Sequence, residues 1–180
     1  MNIKSYFILL TIVLFIGCEE ESKNNSDYNP EQKLEELGIQ LSTPSSPVAN
    51  YVNTVKTGNL IFVSGKGPLK KDGNYILGKL GENLTLEQGY EAARLTAINL
   101  ISTLKASIGD LSKVKRIVRV TGMVNSTSDF IDHPKVVNGC SDLLVEVFGD
   151  NGKHTRAAVG MNSLPLNIAV EIDMIVEVYD

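Results

Sequence analysis

The stretch IAVEIDMIVEV, residues 168–178, alternates between apolar and mixed positions along its whole length. Every even-numbered residue is aliphatic or methionine, whereas the odd-numbered positions include Glu171, Asp173 and Glu177. Successive side chains of a strand point to opposite faces of a sheet, so this alternation predicts a strand with one buried apolar face. Carboxylates on the other face must meet water or polar partners.

Two segments with helical periodicity can cover the apolar face. Thr85 and Gln88 have the capping-box order ahead of an apolar stripe that runs to Gly109. Pro134 suits the first turn of a second helix, whose apolar residues recur at spacings of three and four up to Gly149. With helices on one face only, the second face is either solvated or buried by other copies of the chain.

The remaining strands are predicted at residues 59–67, 70–80 after a turn at Asp72-Gly73, and 113–125. Residues 154–178 read as two strands that form a hairpin around Leu164-Pro165, with Arg156 in the first and Glu171 in the second. The predicted order is ββαβαββ, in one α/β (α+β) domain over residues 34–180 with two helices on one face of the sheet.

The N-terminus carries the apolar run YFILLTIVLFIG, residues 6–17, which is shorter than the ~20 residues of a spanning helix. We predict a signal peptide over residues 1–17. The run ends on Gly17-Cys18 and resembles a bacterial lipoprotein signal, which implies lipidation of Cys18 and a membrane-anchored protein in the periplasm or at the cell surface. A simple secretory peptide or an uncleaved anchor are the alternatives. Residues 18–33 are polar and predict a tether.

Charge and cysteine content narrow the function classes. The formal net charge is −4, and no aromatic residue interleaves with the basic residues of 113–119, so nucleic acid is a poor ligand. Cys140 lies within a predicted helix, so we expect no disulfide between it and Cys18, the other cysteine. No cluster of histidine and cysteine residues has the spacing of metal ligands. No metal site is predicted.

Several stretches resemble one family, the RidA (YjgF) proteins, formerly labelled endoribonuclease L-PSP. They are VANY (48–51), GNLIFVSG (58–65), VVNGC (136–140), TRAAVG (155–160) and SLPLNIAVEI (163–172). The resemblance implies a chorismate-mutase-like fold and a homotrimer with active sites between protomers. It also implies hydrolysis of reactive enamines and imines of small 2-imino acids to 2-keto acids and ammonia, without metal or organic cofactor.

The resemblance assigns roles residue by residue. Arg156 falls on the carboxylate-binding arginine and Glu171 on the acid near the catalytic water, and these two are the predicted catalytic residues. The predicted ligand-binding residues include Tyr51, Ser64 and Gly65, at the front of the pocket. They also include Asn138, which opens the second helix, and Ala158, whose backbone could orient water. Ala158 stands where some members have cysteine.

The chemistry of an imino acid suits these residue types. Its carboxylate needs a planar cation with two parallel donors, which arginine supplies and lysine does not. Hydrolysis then needs a held water and a group that passes a proton to the departing nitrogen, and Glu171 is the candidate. A noncatalytic binder of small carboxylates such as keto acids is the alternative function, and a ribonuclease is a further, less favoured one.

Each site residue also has a structural interpretation. Arg156 could pair with Glu171 or Asp173, and Glu171 could form a salt bridge between protomers. Tyr51 could be a packed rim aromatic, and Ser64 could satisfy backbone at a strand end. Asn138 could hydrogen-bond its own backbone at the helix start. We expect His133 and His154 to be exposed to solvent. We expect Cys140 to be buried in the core.

Overall fold

The computed structural model describes residues 28–47 and 49–179. The predicted signal peptide, the lipidation of Cys18 and most of the tether fall outside these residues and stay predictions. Among the described helices, none combines the length and apolarity needed to cross a bilayer.

The described residues form five strands and three α-helices. The helices are α1 (Pro30–Glu36), α2 (Leu86–Ile108) and α3 (His133–Phe148). The strands are β1 (Thr54–Thr57), β2 (Leu60–Lys66), β3 (Val114–Asn125), β4 (Thr155–Met161) and β5 (Val170–Val178). They form one mixed sheet in the order β1-β2-β5-β3-β4, in which only β3 and β4 run parallel.

The two long helices begin and end where the sequence predicts. Thr85 and Gln88 form a reciprocal capping box at the start of α2, and Gly109 ends the helix with a positive φ of 81°. Helix α3 has proline in its first turn and ends at Gly149. Where the helices cross, Gly139 of α3 lies so close to the Tyr90 carbonyl of α2 that a β-carbon would overlap it.

The alternation of β5 is confirmed by the burial of its side chains. All five even-numbered residues of the strand are buried in the core beneath α2 and α3, and all four odd-numbered ones are half-buried on the other side. The sheet therefore has a helix-covered face and a face that none of the described helices covers. We call the second one the open face.

The order ββαβαββ is confirmed, but the first two strands are not those predicted. Residues 70–80 contain a turn, in which the Asp72 carboxylate accepts from the Asn74 amide, and only isolated bridges. The first strand is instead β1, which pairs antiparallel with β2. With four residues, mostly exposed, β1 has too little apolar alternation to signal a strand.

The predicted hairpin over residues 154–178 is wrong. Strands β4 and β5 do not pair, because β3 lies between them and pairs with both. Arg156 stands opposite Val120, and Val120 opposite the buried Met174, so Arg156 lies on the helix-covered face. Glu171 stands opposite Met123 and lies on the open face. The two predicted catalytic residues are therefore on opposite sides of one sheet.

The tether predicted over residues 18–33 also extends too far. Helix α1 begins at Pro30, behind an Asn29 side chain that accepts from the Glu31 and Gln32 amides. Its Leu34 is 3% exposed and belongs to the core. One anchored leucine and a good N-cap hold this short polar helix in place, and composition alone did not reveal them.

Candidate functional site

Arg156 lies on edge strand β4 and is held by helix α3. Its Nη1 atom donates to Asn138 Oδ1 at 2.8 Å and to Ser141 Oγ at 3.0 Å. Asn138 and Ser141 are three residues apart and so lie on one side of the helix. The helix thus fixes one end of the guanidinium group.

The other edge of the guanidinium is open. The two bonds use both hydrogens of Nη1, which leaves Nε and Nη2 as a pair of parallel donors. Within residues 28–47 and 49–179, neither of these atoms has a hydrogen-bond acceptor and no carboxylate forms an ion pair with Arg156. The interpretation of Arg156 as a partner of Glu171 or Asp173 therefore finds no support within one protomer. An exposed fork of this shape matches a carboxylate.

The positions of Asn138 and Ala158 complete this part of the site. Asn138 lies in the second turn of α3, because the helix begins at His133, so the prediction that Asn138 opens the helix is wrong. Its side chain bonds Arg156 rather than its own backbone. Ala158 stands two residues after Arg156 on the same face of β4 and is half-buried. We call Arg156, Asn138, Ser141 and Ala158 the arginine half-site.

Glu171 lies on the open face beside Gly65 of β2. A β-carbon built at Gly65 would lie 3.2 Å from Glu171 Cδ and still closer to a carboxylate oxygen, so the glycine leaves room for the acid. Gly65 sits where the pairing of β2 with β5 shifts between Val63 and Lys66. Burial raises the pKa of Glu171 above its ordinary value, and the nearby Asp173 carboxylate raises the pKa further. A raised pKa suits an acid–base group.

Ser64 directly precedes Gly65 on β2, and Tyr51 lies in the segment to which Ser64 is bonded. The Ser64 hydroxyl donates to the Val52 carbonyl at 2.6 Å, which ties residues 51–53 to strand β2. Within one protomer the Ser64 hydroxyl thus satisfies a backbone carbonyl, as its structural interpretation proposed. The Tyr51 side chain is 50% exposed. We call Glu171, Gly65, Ser64 and Tyr51 the glutamate half-site.

Sequence reasoning missed Ser141 and misjudged both histidines. His154 is half-buried rather than exposed: its Nε2 lies 3.0 Å from Ser141 Oγ and its Nδ1 lies 2.6 Å from the Gly152 carbonyl. His133 is also half-buried and lies 3.0 Å from Ser126 Oγ. The spacing of Asn138 and Ser141 on a helix could have revealed Ser141, but the pairing with His154 depends on tertiary contact.

Two other predictions concern reactive groups. Cys140 is fully buried, and burial raises the pKa of its thiol to about 12, so it belongs to the core as predicted. In the part of the chain that the structure describes, no three His, Cys, Asp or Glu residues come together to hold a metal ion.

The fold and the half-sites define the class of protein. A mixed five-stranded sheet with two long helices on one face, in the order ββαβαββ, is the chorismate-mutase-like α+β fold. Residues 31–178 match the family described as "YjgF/chorismate mutase-like, putative endoribonuclease". The chain belongs to this YjgF (RidA) family.

Individual relatives agree with that assignment. Protein TCP17 of Trypanosoma cruzi is 43% identical over 145 residues, which are 80% of this chain and 91% of that protein. The solved structure of Atu1372 from Agrobacterium tumefaciens is 41% identical with a TM-score of 0.78, and covers 83% of this chain and 92% of its own. A Shewanella oneidensis structure, described in the same endoribonuclease terms, is 34% identical with a TM-score of 0.81, over 83% and 99% of the two chains.

Proposed function

We propose that this protein is an enamine/imine deaminase that hydrolyses small 2-imino acids to 2-keto acids and ammonia. The observation that carries the proposal is the open Nε and Nη2 edge of Arg156, held from behind by Asn138 and Ser141. A guanidinium that is fixed on one edge and free on the other is preorganised for a carboxylate.

The chemistry follows from the two half-sites. Arg156 holds the substrate carboxylate, which places the adjacent C=N carbon at a defined distance from the guanidinium. Water attacks that carbon as Glu171 takes a proton from the water, so that a C–O bond forms and the C=N double bond becomes single. Glu171 passes this proton to the nitrogen, which gives a carbinolamine. Glu171 then takes the hydroxyl proton and delivers it to the amine nitrogen as the C–N bond breaks, so that ammonia leaves and a keto group remains. General acid–base help of this kind contributes roughly 10²- to 10⁴-fold.

The site needs more than one copy of the chain. Arg156 and Glu171 lie on opposite faces of the sheet, so one protomer cannot place both around one small ligand. We propose a homotrimer in which the arginine half-site of one protomer meets the glutamate half-site of the next. A cyclic trimer would hold three equivalent pockets.

The open face supports this assembly. Across it, Val55 pairs with Phe62 and Phe62 with Ile175, which makes an apolar row over three neighbouring strands. Val55 is 53% and Phe62 41% exposed within one protomer. Apolar residues that cluster on a face without a covering helix are typical of a protein interface.

A charge in this row should break the trimer. In Phe62→Glu, a carboxylate would enter the apolar contact without a partner, so we expect a species of one-third the wild-type mass together with loss of turnover. Analytical ultracentrifugation measures the mass. Val145→Glu is the control, because Val145 is also partly exposed but lies on α3, on the other side of the sheet. A Phe62→Glu protein that stays trimeric would place the interface elsewhere.

The function itself is tested with a freshly generated imine. Supplied with 2-aminoacrylate or 2-iminobutyrate, the wild-type protein should release ammonia and keto acid faster than buffer alone. Pyruvate binding in calorimetry without any turnover would favour the alternative, a noncatalytic keto-acid binder. Cleavage of RNA that persists through purification, with no effect on imines, would instead revive the ribonuclease description of the family.

A further inference from the structure

The Arg156 guanidinium is one end of a chain of hydrogen bonds that runs back into the protein. Arg156 Nη1 lies 3.0 Å from Ser141 Oγ, and Ser141 Oγ lies 3.0 Å from His154 Nε2. The other ring nitrogen of His154, Nδ1, lies 2.6 Å from the Gly152 carbonyl oxygen. These hydrogen bonds connect β4, α3 and the turn that precedes β4.

The two ends of the chain fix its direction. A carbonyl oxygen only accepts, so Nδ1 of His154 must carry a hydrogen. In the neutral ring Nε2 is then an acceptor, and the Ser141 hydroxyl must donate to it. Arginine only donates, so the remaining lone pairs of Ser141 Oγ receive Arg156 Nη1. The Gly152 carbonyl and the Arg156 guanidinium therefore require the same arrangement, in which Ser141 Oγ donates to His154 Nε2 and accepts from Arg156 Nη1.

We propose that His154 is a positioning residue, which acts through Ser141 to orient the Arg156 guanidinium so that its Nε and Nη2 edge faces the ligand carboxylate. The proposal rests on the proposed function and adds to it a residue that does not touch the substrate. His154 sets which lone pairs of Ser141 are available, and Ser141 together with Asn138 sets the plane of the guanidinium.

The surroundings of His154 favour the neutral ring that this arrangement needs. The side chain is half-buried, and burial lowers its pKa below the ordinary value of 6.5. The positive charge of Arg156 lowers the pKa further, while the bond to the Gly152 carbonyl opposes these effects. Near neutral pH the ring is uncharged and Nε2 can accept.

Three single variants separate positioning from mere packing. His154→Asn keeps a donor for the Gly152 carbonyl but is too short to reach Ser141. His154→Gln places an acceptor near the position of Nε2. Ser141→Ala removes the link itself. We expect His154→Asn and Ser141→Ala each to weaken pyruvate binding by about tenfold, the effect of one hydrogen bond to a charged group, and His154→Gln to restore most of the affinity.

The double variant His154→Asn with Ser141→Ala is the decisive comparison. If His154 acts only through Ser141, the double variant should bind pyruvate no more weakly than Ser141→Ala alone. Calorimetry measures the dissociation constants, and urea unfolding checks that the variants remain folded. Losses that multiply to about a hundredfold would overturn the proposal, as would a His154→Gln variant as weak as His154→Asn.

A spectroscopic readout separates this proposal from the function on which it rests. Long-range nitrogen–proton spectra of wild-type protein should show His154 protonated at Nδ1 and bare at Nε2, with or without ligand. A ring protonated at Nε2 would overturn the positioning role even if pyruvate binds. Failure of the wild-type protein to bind pyruvate would overturn the proposed function, and the positioning role with it, whatever the tautomer.

Discussion

Replacing Arg156 by alanine should lower pyruvate affinity and imine turnover by about 10²- to 10³-fold. The variant loses two parallel charge-assisted hydrogen bonds to the carboxylate, each of which contributes roughly 1.5–3 kcal/mol. Part of this is offset because the side chain is exposed and water competes for the ligand. Calorimetry with pyruvate and ammonia release from freshly generated imine measure the two effects.

Two further variants control this result. Arg156→Lys keeps the charge but not the fork, so it should recover little of the affinity. Arg94→Ala removes an arginine that pairs with Glu146 between α2 and α3 and belongs to neither half-site, so it should behave as wild type. An Arg156→Ala protein with wild-type ammonia release would remove the enzymatic proposal. Because the Arg156 side chain is exposed, its loss should leave the fold intact.

Replacing Glu171 by glutamine should lower kcat by roughly 10²- to 10⁴-fold, while pyruvate affinity changes little. The amide cannot take a proton from water, but it keeps the shape of the acid beside Gly65.

The pH dependence of turnover gives a second prediction for Glu171. Only the ionised acid is a base, and its pKa is raised, so wild-type activity should increase as pH rises through that pKa. The turnover of Glu171→Gln should not show this increase with pH.

Glu177→Gln is the matched control for that variant. Glu177 is on the same strand and the same face, but it pairs with Lys115 and Arg116 and its pKa is lowered rather than raised. Its replacement should leave the pH profile of turnover unchanged. If Glu171→Gln retained full kcat, Glu171 would be a structural residue of the interface, as its alternative interpretation holds.

The sequence predicted well those elements whose signal lies within a short stretch of residues. The alternation of β5 indicates which of its side chains are buried, and the capping box indicates where α2 begins. Residue type and spacing were enough for both. The pairing of strands is not local. Nothing within residues 154–178 indicates that β3 enters between β4 and β5, because that depends on which surfaces fit once α3 has crossed over the sheet.

The site shows the same division. The resemblance placed Arg156 and Glu171 among the functional residues, but the residues themselves left open whether the two side chains share a face of the sheet. The structure places them on opposite faces of the sheet, in two separate half-sites. Ser141 escaped notice and His154 was expected to be exposed, because the contacts that join them to Arg156 arise only where α3 packs against β4.

The most direct test of this account mixes two inactive proteins. Arg156→Ala and Glu171→Gln protomers, co-expressed with different tags and purified as mixed trimers, can form a pocket with an intact arginine from one chain and an intact glutamate from the next. Each mixed trimer, whichever variant it holds two copies of, has one complete pocket among its three in a symmetric ring, so about a third of wild-type turnover should return. Mixed trimers that stay as inactive as either parent would show that the two residues do not act together across a subunit boundary.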